Sequence, residues 1–376
     1  MTVKANKEIM EAFLEGATSE TKKVLEGVNL ADGRAVSEHL FNYQVVKNEF
    51  INTLINKIFM TQIHSKVWKN PLKIFHGGME EYGYTIEDMY VEASQKVGFN
   101  QHFNGGDDVK DIVGSLVPKV YTNYLSRNFA DKYKITISDV QLKTAFRNEY
   151  GLSNLVNKLL EANLRGAYRD EYNHMKNMFF KYCSGLSNQD VGLSGLSNQD
   201  VGLSGSATQT QYIQDSQVIK LNDDASLVKN LCKSLKAMND RLQFESDKYN
   251  SAKVMQFSSL NDCVFITTPE MKAEIDVDYL ADVFNLSKSE VQQRIILMDE
   301  LPTQIKSGDS GSNTHVGETC IGMLVDKDLL RFKDFVFETR YFNNPNNLST
   351  NYFLHKQGLC GIVPFLNAII YTKSAS

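Results

Sequence analysis

The chain has 376 residues, of which 42% are hydrophobic, 10% aromatic and 23% charged, so it can bury a large core and is not disordered by composition. With 40 basic and 45 acidic residues the net charge is −5; no basic block resembles a nucleic-acid-binding arm, which sets aside tight sequence-independent DNA binding. Five widely spaced cysteines (Cys183, Cys232, Cys263, Cys320 and Cys360), odd in number and without a CxxC pair, read as reduced structural thiols.

The length suits about two or three lobes. The opening MTVKANKEIMEAF lacks the apolar core of a signal peptide. No stretch approaches the ~18–20 apolar residues of a membrane span. The expectation is a soluble protein made in the cytoplasm.

Residues 1–65 read as helical. EIMEAFLEG places Ile9, Met10, Phe13 and Leu14 at helical spacing, and VVKNEFINTLINKIF does the same for Val45, Val46, Phe50, Leu54 and Ile58. From residue 74 to 137 the texture changes. Gly77, Gly78 and Gly83 come first, then strand-prone TIEDMYVEAS. A glycine-rich tip, VGFNQHFNGGDDV, follows, and the chain returns through PKVYTNYLSRNFADKYKITIS, rich in β-branched and aromatic residues. This predicts a long two-stranded excursion with too few large aliphatics for its own core. Such a hairpin is marginal alone and must lie on something else.

Ser138 and Gln141 make an S-x-x-Q capping box ahead of a short helix ended by Gly151. From Leu152 apolar residues then fall in steps of three and four through Val156, Leu160, Leu164, Tyr168, Tyr172, Met175, Phe179 and Tyr182. The pattern predicts one amphipathic helix of about thirty residues, far beyond the usual ~11–12, backing a sheet along its length. Lys158, Arg165, Arg169, Lys176 and Lys181 line its opposite face.

Next comes SGLSNQDVGL, twice in succession, from Ser184 and from Ser194; its composition predicts a loop. SQVIKL (Ser216–Leu221) reads as a strand. Asp223 and Asp224 then cap a helix carrying Leu227, Leu231 and Leu235. Between 254 and 300 strand and helix alternate: CVFITT, then a helix with Thr268 as cap and Pro269 first, a Ser287/Glu290 capping box, and IILM. This predicts a compact α/β lobe. Residues 303–318 read as a loop. The last sixty residues are mostly strand (CIGMLV, DFVFETRYF, STNYFLH, NAIIYT) and are expected to form one sheet of antiparallel pairs, the natural partner of the long helix.

Signs of chemistry are sparse. GGDD (Gly105–Asp108), with His102 nearby, has carboxylates but no metal-loop pattern, so a solvated turn is favoured. GDSGS (Gly308–Ser312) has no histidine–aspartate framework to serve it. His76–Gly78 has the HGG of some oxyanion holes without a GxSxG elbow. The seven histidines (His39, His64, His76, His102, His174, His315, His355) show no metal-ligand spacing. GxGxxG and Walker cradles are absent from the sequence. The cationic helix face reads as solvated, with intrahelix ion pairs, in preference to a phosphate contact. No catalytic, cofactor-binding or metal residues are assigned.

The order of elements is a helical arm, an extended two-stranded loop, a very long helix, an inserted α/β lobe and closing strands. It resembles the Hong Kong 97 fold of tailed-phage major capsid proteins, an α+β architecture. FITTPEMKAEIDVDYLADVFN (Phe265–Asn285) and NYFLHKQGLCGIVPFLNAIIYT (Asn351–Thr372) are similar to the major capsid proteins of small short-tailed, phi29-like phages of Gram-positive bacteria. The resemblance divides the chain into an N-terminal arm (1–73), an extended loop (74–137) and a peripheral domain with spine helix and repeat-containing loop (138–221). An axial domain (222–318) and closing strands of both domains (319–376) complete it. Ile86–Ile112 would be tip and flank of the extended loop.

The resemblance implies a non-enzymatic subunit assembling as hexamers and pentamers into an icosahedral shell around double-stranded DNA. The implied partners are further copies, a separate scaffolding protein or none, a portal, and DNA held through weak non-specific contacts, with no membrane and no cofactor. It further implies assembly in the host cytoplasm and residence in the virion. No immunoglobulin-like C-terminal domain and no long N-terminal scaffolding segment are expected. Lys110 and Lys119 stand where some members form lysine–asparagine cross-links, but no motif supports that chemistry here. The competing readings are an encapsulin-like nanocompartment shell and an α/β enzyme with a dispersed site.

Two copies of a decapeptide are too few for a solenoid, and ten residues fall short of the roughly 20–50 of such repeats. The repeat lies where the peripheral domain hands over to the axial domain, and a surface loop lengthens there at small entropic cost. Deleting Ser194–Leu203 is therefore expected to leave shell formation intact. Loss of particles by negative-stain microscopy would make the second copy a working part.

Overall fold

The computed structural model describes residues 6–30, 32–43, 45–47, 49–50, 68–80, 85–93, 118–146, 151–186, 193–194, 212–222, 227–275, 294–308, 313–314, 318–344 and 346–374. The loop tip, residues 276–293 with the Ser287/Glu290 box, Asp223 and Asp224, and most of the tandem decapeptide lie outside the described residues. The chain divides into two compact units. The first comprises Met1–Asn70, Ala130–Glu171 and Val336–Gln357; the second comprises Pro71–Phe129, Tyr172–Phe335 and Gly358–Ser376.

In the first unit, α1 (Asn6–Gly16), α2 (Ser19–Val24) and α3 (Gly33–Asn42) are helical, as the spacing predicts for Ile9 to Leu14, while Leu54 and Ile58 of the second predicted stretch lie outside the described residues. Met10, Phe13, Val36, Leu40 and Phe50 bury against Ile137, Phe146 and Tyr352. Phe50 sits edge-on to Phe13, with ring centres 5.0 Å apart, and 5.9 Å from Phe146. Glu49 accepts from the backbone N–H of Thr18 at 2.7 Å and from the Thr18 hydroxyl at 2.9 Å, so it caps the otherwise unpaired start of α2. The Ser138–Gln141 box forms as expected and opens α4 (Asp139–Ala145), with both reciprocal bonds at 3.3 Å.

Helix α5 runs unbroken from Gly151 to Ser184, 34 residues and roughly 50 Å. It belongs to the first unit up to Glu171 and to the second from Tyr172. In the second unit, Tyr172, Met175, Met178, Phe179, Tyr182 and Cys183 share one buried cluster with Val264, Ile266, Met323, Val325, Ile362 and Ile370. In the first, Leu164 and Ala167 are buried and Glu171 is only 3% exposed. Lys356 donates to Glu171 Oε2 at 2.5 Å, and Asn70 Nδ2 donates to Oε1 at 2.9 Å. Gly185 follows the helix with φ +124, and its N–H reaches the Lys181 carbonyl at 2.7 Å. This is the left-handed stop that only glycine adopts freely.

Four sheets are present among the described residues. The largest orders β6 (Val218–Leu221), β14 (Ala368–Ser374), β11 (Glu318–Asp326), β7 (Cys263–Thr267) and β8 (Ile295–Leu297). β11 is antiparallel to β14 and β7, whereas β6 runs parallel to β14 and β8 parallel to β7. Against it pack α6 (Leu227–Arg241) and α7 (Pro269–Glu274), through Leu227, Leu231, Leu235 and Met271. Thr268 caps α7 as expected, its hydroxyl accepting from Met271 N–H at 3.3 Å. Buried Gln217 ties this sheet to α5. Its amide donates to Tyr182 Oη and to the Ala368 carbonyl, both at 2.9 Å.

A four-stranded sheet orders β1 (His76–Met79), β12 (Leu330–Asn344), β13 (Ser349–Ile362) and β4 (Phe129–Ser138). β2 (Thr85–Val91) and β3 (Val120–Ser126) pair with each other, and β5 (Leu193–Ser194) joins β3. β9 (Lys306–Ser307) and β10 (Asn313–Thr314) form a two-residue ladder.

Three sequence expectations change. The closing strands do not make one sheet: β12 and β13 join β1 and β4, while β11 and β14 complete the sheet of the α/β lobe. That lobe has only the short strands β7 and β8 of its own, and β7 is buried at every residue. It therefore needs covering neighbours, and these come from the far end of the chain. The predicted excursion is also narrower among the described residues, because β1 and β4 are taken by the four-stranded sheet and β2 and β3 pair with each other. Finally, the expected loop at 303–318 contains the β9–β10 ladder. At the four-stranded sheet Gly358 permits close approach: a Cβ there would lie 2.2 Å from the Lys333 carbonyl oxygen.

Removing one partner of a buried ion pair strands the other charge. Lys356→Met is therefore expected to lower the unfolding free energy of the purified chain by about 3–5 kcal/mol in urea denaturation, and Lys356→Met/Glu171→Leu to recover most of it. A double variant as unstable as the single one would show that the pair is not what joins α5 to β13.

Candidate assembly surface

β2 and β3 pair over their whole lengths, from Thr85 opposite Ser126 to Val91 opposite Val120. Side chains in strands alternate between faces, and direct partners share a face. The inner face carries Ile86, Asp88 and Tyr90 from β2, and Tyr121, Asn123 and Leu125 from β3. Tyr90 stacks on Phe365 at 5.9 Å and meets Tyr121 at 6.0 Å. Its hydroxyl donates to the Met255 carbonyl. Phe365 belongs to a small cluster with Ala252, Val254 and Val363. This is the support that a hairpin without its own core requires.

The outer face is the reverse. Met89 is 60% exposed and Val91 51%, and Val120 and Tyr124 are exposed beside them. Tyr124 Oη donates to Glu87 Oε1 at 2.8 Å and fixes one edge of the patch. At the other edge of β3, Thr122 and Asn123 pair with Ser194 and Leu193. These two residues are the junction of the tandem decapeptide, so among the described residues the repeat meets the hairpin at this junction. The first unit presents its own apolar pair, Val140 and Leu348, both about two-thirds exposed and linked by Asp139 N–H to the Leu348 carbonyl at 2.9 Å. Grouped exposed apolar side chains of this kind mark interaction sites.

The residues singled out for chemistry are dispersed. His76 lies in β1 with Nε2 3.0 Å from Asp334 Oδ2, and Gly77 packs on Lys333, so the HGG segment is strand. Gly308 turns out of β9 with φ +86, while Asp309–Ser312 lie outside the described residues. So do His102, Gly105–Asp108 and Lys110; Lys119 is exposed at the foot of β3. His174 stacks on Phe129 at 4.9 Å.

The cationic face of α5 divides. Arg165 and Arg169 are exposed, but Lys176 leaves the helix to bind Asp299 and Glu300, each at 2.9 Å, instead of pairing within it. Burial opposes the Lys176 charge, yet its bonds to Asp299 and Glu300 prevail and hold it above the usual lysine range. Lys158 lies where side chains are not described. Sequence reasoning missed Gln217, the Lys356–Glu171–Asn70 group, and the Asp88–Asn123 pair under the hairpin. Alternation offered one signal: Lys356 falls in step with buried Tyr352 and Leu354.

All five cysteines are free and buried. Burial pushes Cys232 up to about 11, and Cys263 and Cys320 up to about 12. Only thiolates attack, so these thiols are inert packing groups at neutral pH.

The fold is that of a phage capsid subunit. It superposes on a chain of the capsid structure of Staphylococcus phage Andhra with a TM-score of 0.60 at 15% identity, covering 82% of this chain and 86% of that one. The sequence is 26% identical to the major capsid protein of Bacillus phage GA-1 over 96% of this chain and 69% of that protein. It is 23% identical to the major capsid protein of Streptococcus phage Cp-1 over 92% of this chain and 87% of that protein. The profile of the Phi29-like phage major capsid proteins matches residues 10–372, and the chain belongs to that family. Among the described residues no helix is long and apolar enough to cross a membrane.

In the folded chain at neutral pH all five thiols are expected to react slowly with a thiol-specific dye, and all five rapidly in denaturant. A fast-reacting thiol in the native chain would contradict the packing role.

Proposed function

We propose that this chain is the repeating subunit of an icosahedral phage head of the Hong Kong 97 type, forming hexamers and pentamers around double-stranded DNA. The observation that carries the reading is the outer face of β2–β3, apolar, exposed and backed by a supported inner face. A second copy of the chain is the occupant that a self-assembling shell supplies for it. On this reading α5 is the spine helix of a peripheral domain (138–221), and the five-stranded sheet with α6 and α7 belongs to an axial domain (222–318). Residues 319–376 close both domains. Residues 1–73 are the N-terminal arm and 74–137 the extended loop, which carries β2–β3.

A net charge of −5 supports a container that confines DNA without gripping it. A separate scaffolding protein and a portal complete the expected partners, and no step in the account needs an enzyme activity.

Met89→Glu/Val91→Glu places two charges on the outer face without touching the core. The variant is expected to keep the circular dichroism and melting behaviour of the parent while yielding no closed particles by negative-stain microscopy. Normal shells from this variant would remove the hairpin from the assembly contacts.

A further inference from the structure

The seat under the β2–β3 hairpin is polar at its centre and poorly matched. Asp88 and Asn123 are direct ladder partners on the inner face. Asn123 is fully buried, yet neither its amide nitrogen nor its amide oxygen has a hydrogen-bond partner. Asp88 Oδ2 is buried and unpartnered as well. Arg331 approaches Asp88 Oδ1 only to 3.6 Å, longer than a hydrogen bond, and its own Nε is unpartnered. Apolar contact flanks this centre, with Tyr90, Tyr121 and Phe365 on one side and buried Leu125 on the other.

We propose that Asp88, Asn123 and Arg331 form a proton-operated latch that holds the hairpin down when Asp88 is protonated and lets it lift when Asp88 is ionised. A proton taken from solvent removes a buried charge and creates an O–H. Asp88 and Asn123 share the inner face as direct ladder partners, so a protonated Asp88 has a donor to offer to the orphaned Asn123 oxygen. Without it, a carboxylate charge stays desolvated, faced by a neutral amide and by Arg331 at 3.6 Å, and recovers full solvation only by meeting water. Burial is the largest influence on Asp88 and raises its affinity for a proton; Arg331 and Lys333 act against it, and Asp328 reinforces it. Lys333 is itself paired with Glu80.

The sign follows. The seated hairpin binds the proton more tightly than the lifted one, so seating is strongest at low pH and weakens as pH rises through the seated-state titration. The inference rests on the assembly reading, since lifting would present or withdraw the outer face that neighbouring copies contact.

Hydrogen exchange of the purified full chain, corrected for intrinsic rates from pH 5 to 8, tests it. Protection of residues 85–91 and 120–126 is expected to fall by up to about tenfold per pH unit across the titration, while β11 and β14 stay constant. Asp88→Asn should abolish this pH dependence and keep the hairpin protected throughout; Asp88→Ser serves if that variant does not fold. Equal pH profiles in parent and variant, or a hairpin less protected in the variant, would overturn the latch. Particle formation, scored separately by microscopy, keeps the two readings apart: shells with a pH-insensitive hairpin refute the latch alone, and a working latch without shells refutes assembly alone.

Discussion

A helix of 34 residues survives in water only if its apolar stripe is covered from end to end, because isolated helical propensity is marginal. That requirement organises this chain. Tyr172, Met175, Phe179 and Tyr182 are covered by strands β7, β11, β13 and β14, whose residues come from widely separated parts of the sequence. Further back, Leu164 and Ala167 are buried, and Glu171 lies on the same side. A buried carboxylate would be costly there if Lys356 and Asn70 did not meet it. Lys356 of β13 and Glu171 of α5 meet at one buried point. An apolar replacement can match the pair's stability, but only a charged partner penalises a helix displaced by one turn.

The β2–β3 hairpin follows the opposite logic. Two strands bury little surface, and their support is a small cluster around Phe365. Its outer face keeps Met89, Val91, Val120 and Tyr124 in solvent. A lone subunit has no internal use for such a face. On the proposed reading it is the place where one subunit lies on the next in a shell of many copies, and the exposed Val140–Leu348 pair on the other unit is a second surface of the same kind. Stability and assembly are therefore supplied by different parts of the chain.

Much of this was legible in the sequence. The helix was readable because steps of three and four persist through Leu164, Tyr172, Met175, Phe179 and Tyr182. The Ser138–Gln141 box and the Thr268–Pro269 start were readable because caps are local chemistry. Strand identity was readable too, but partnership was not. Nothing in VIKL at 218 announces that it runs parallel to AIIYTKS at 368, because such pairing is fixed by tertiary packing. Buried polar groups were the blind spot. Glu171 looks like a solvent-facing acid until its place between Ala167 and Met175 is noticed, and Asp88 and Asn123 look like ordinary hairpin polars until the strands are set in register. Most of the tandem decapeptide lies outside the described residues. Its described contacts are Leu186 in the core at the end of α5 and the Leu193–Ser194 junction beside β3.

The central claim is that the outer face of β2–β3 is completed by another copy of the same chain. Cryo-electron microscopy of assembled particles, at a resolution that shows side chains, tests it directly. The account predicts density from a neighbouring subunit over Met89, Val91, Val120 and Tyr124. A closed shell in which those four side chains face open solvent would contradict it.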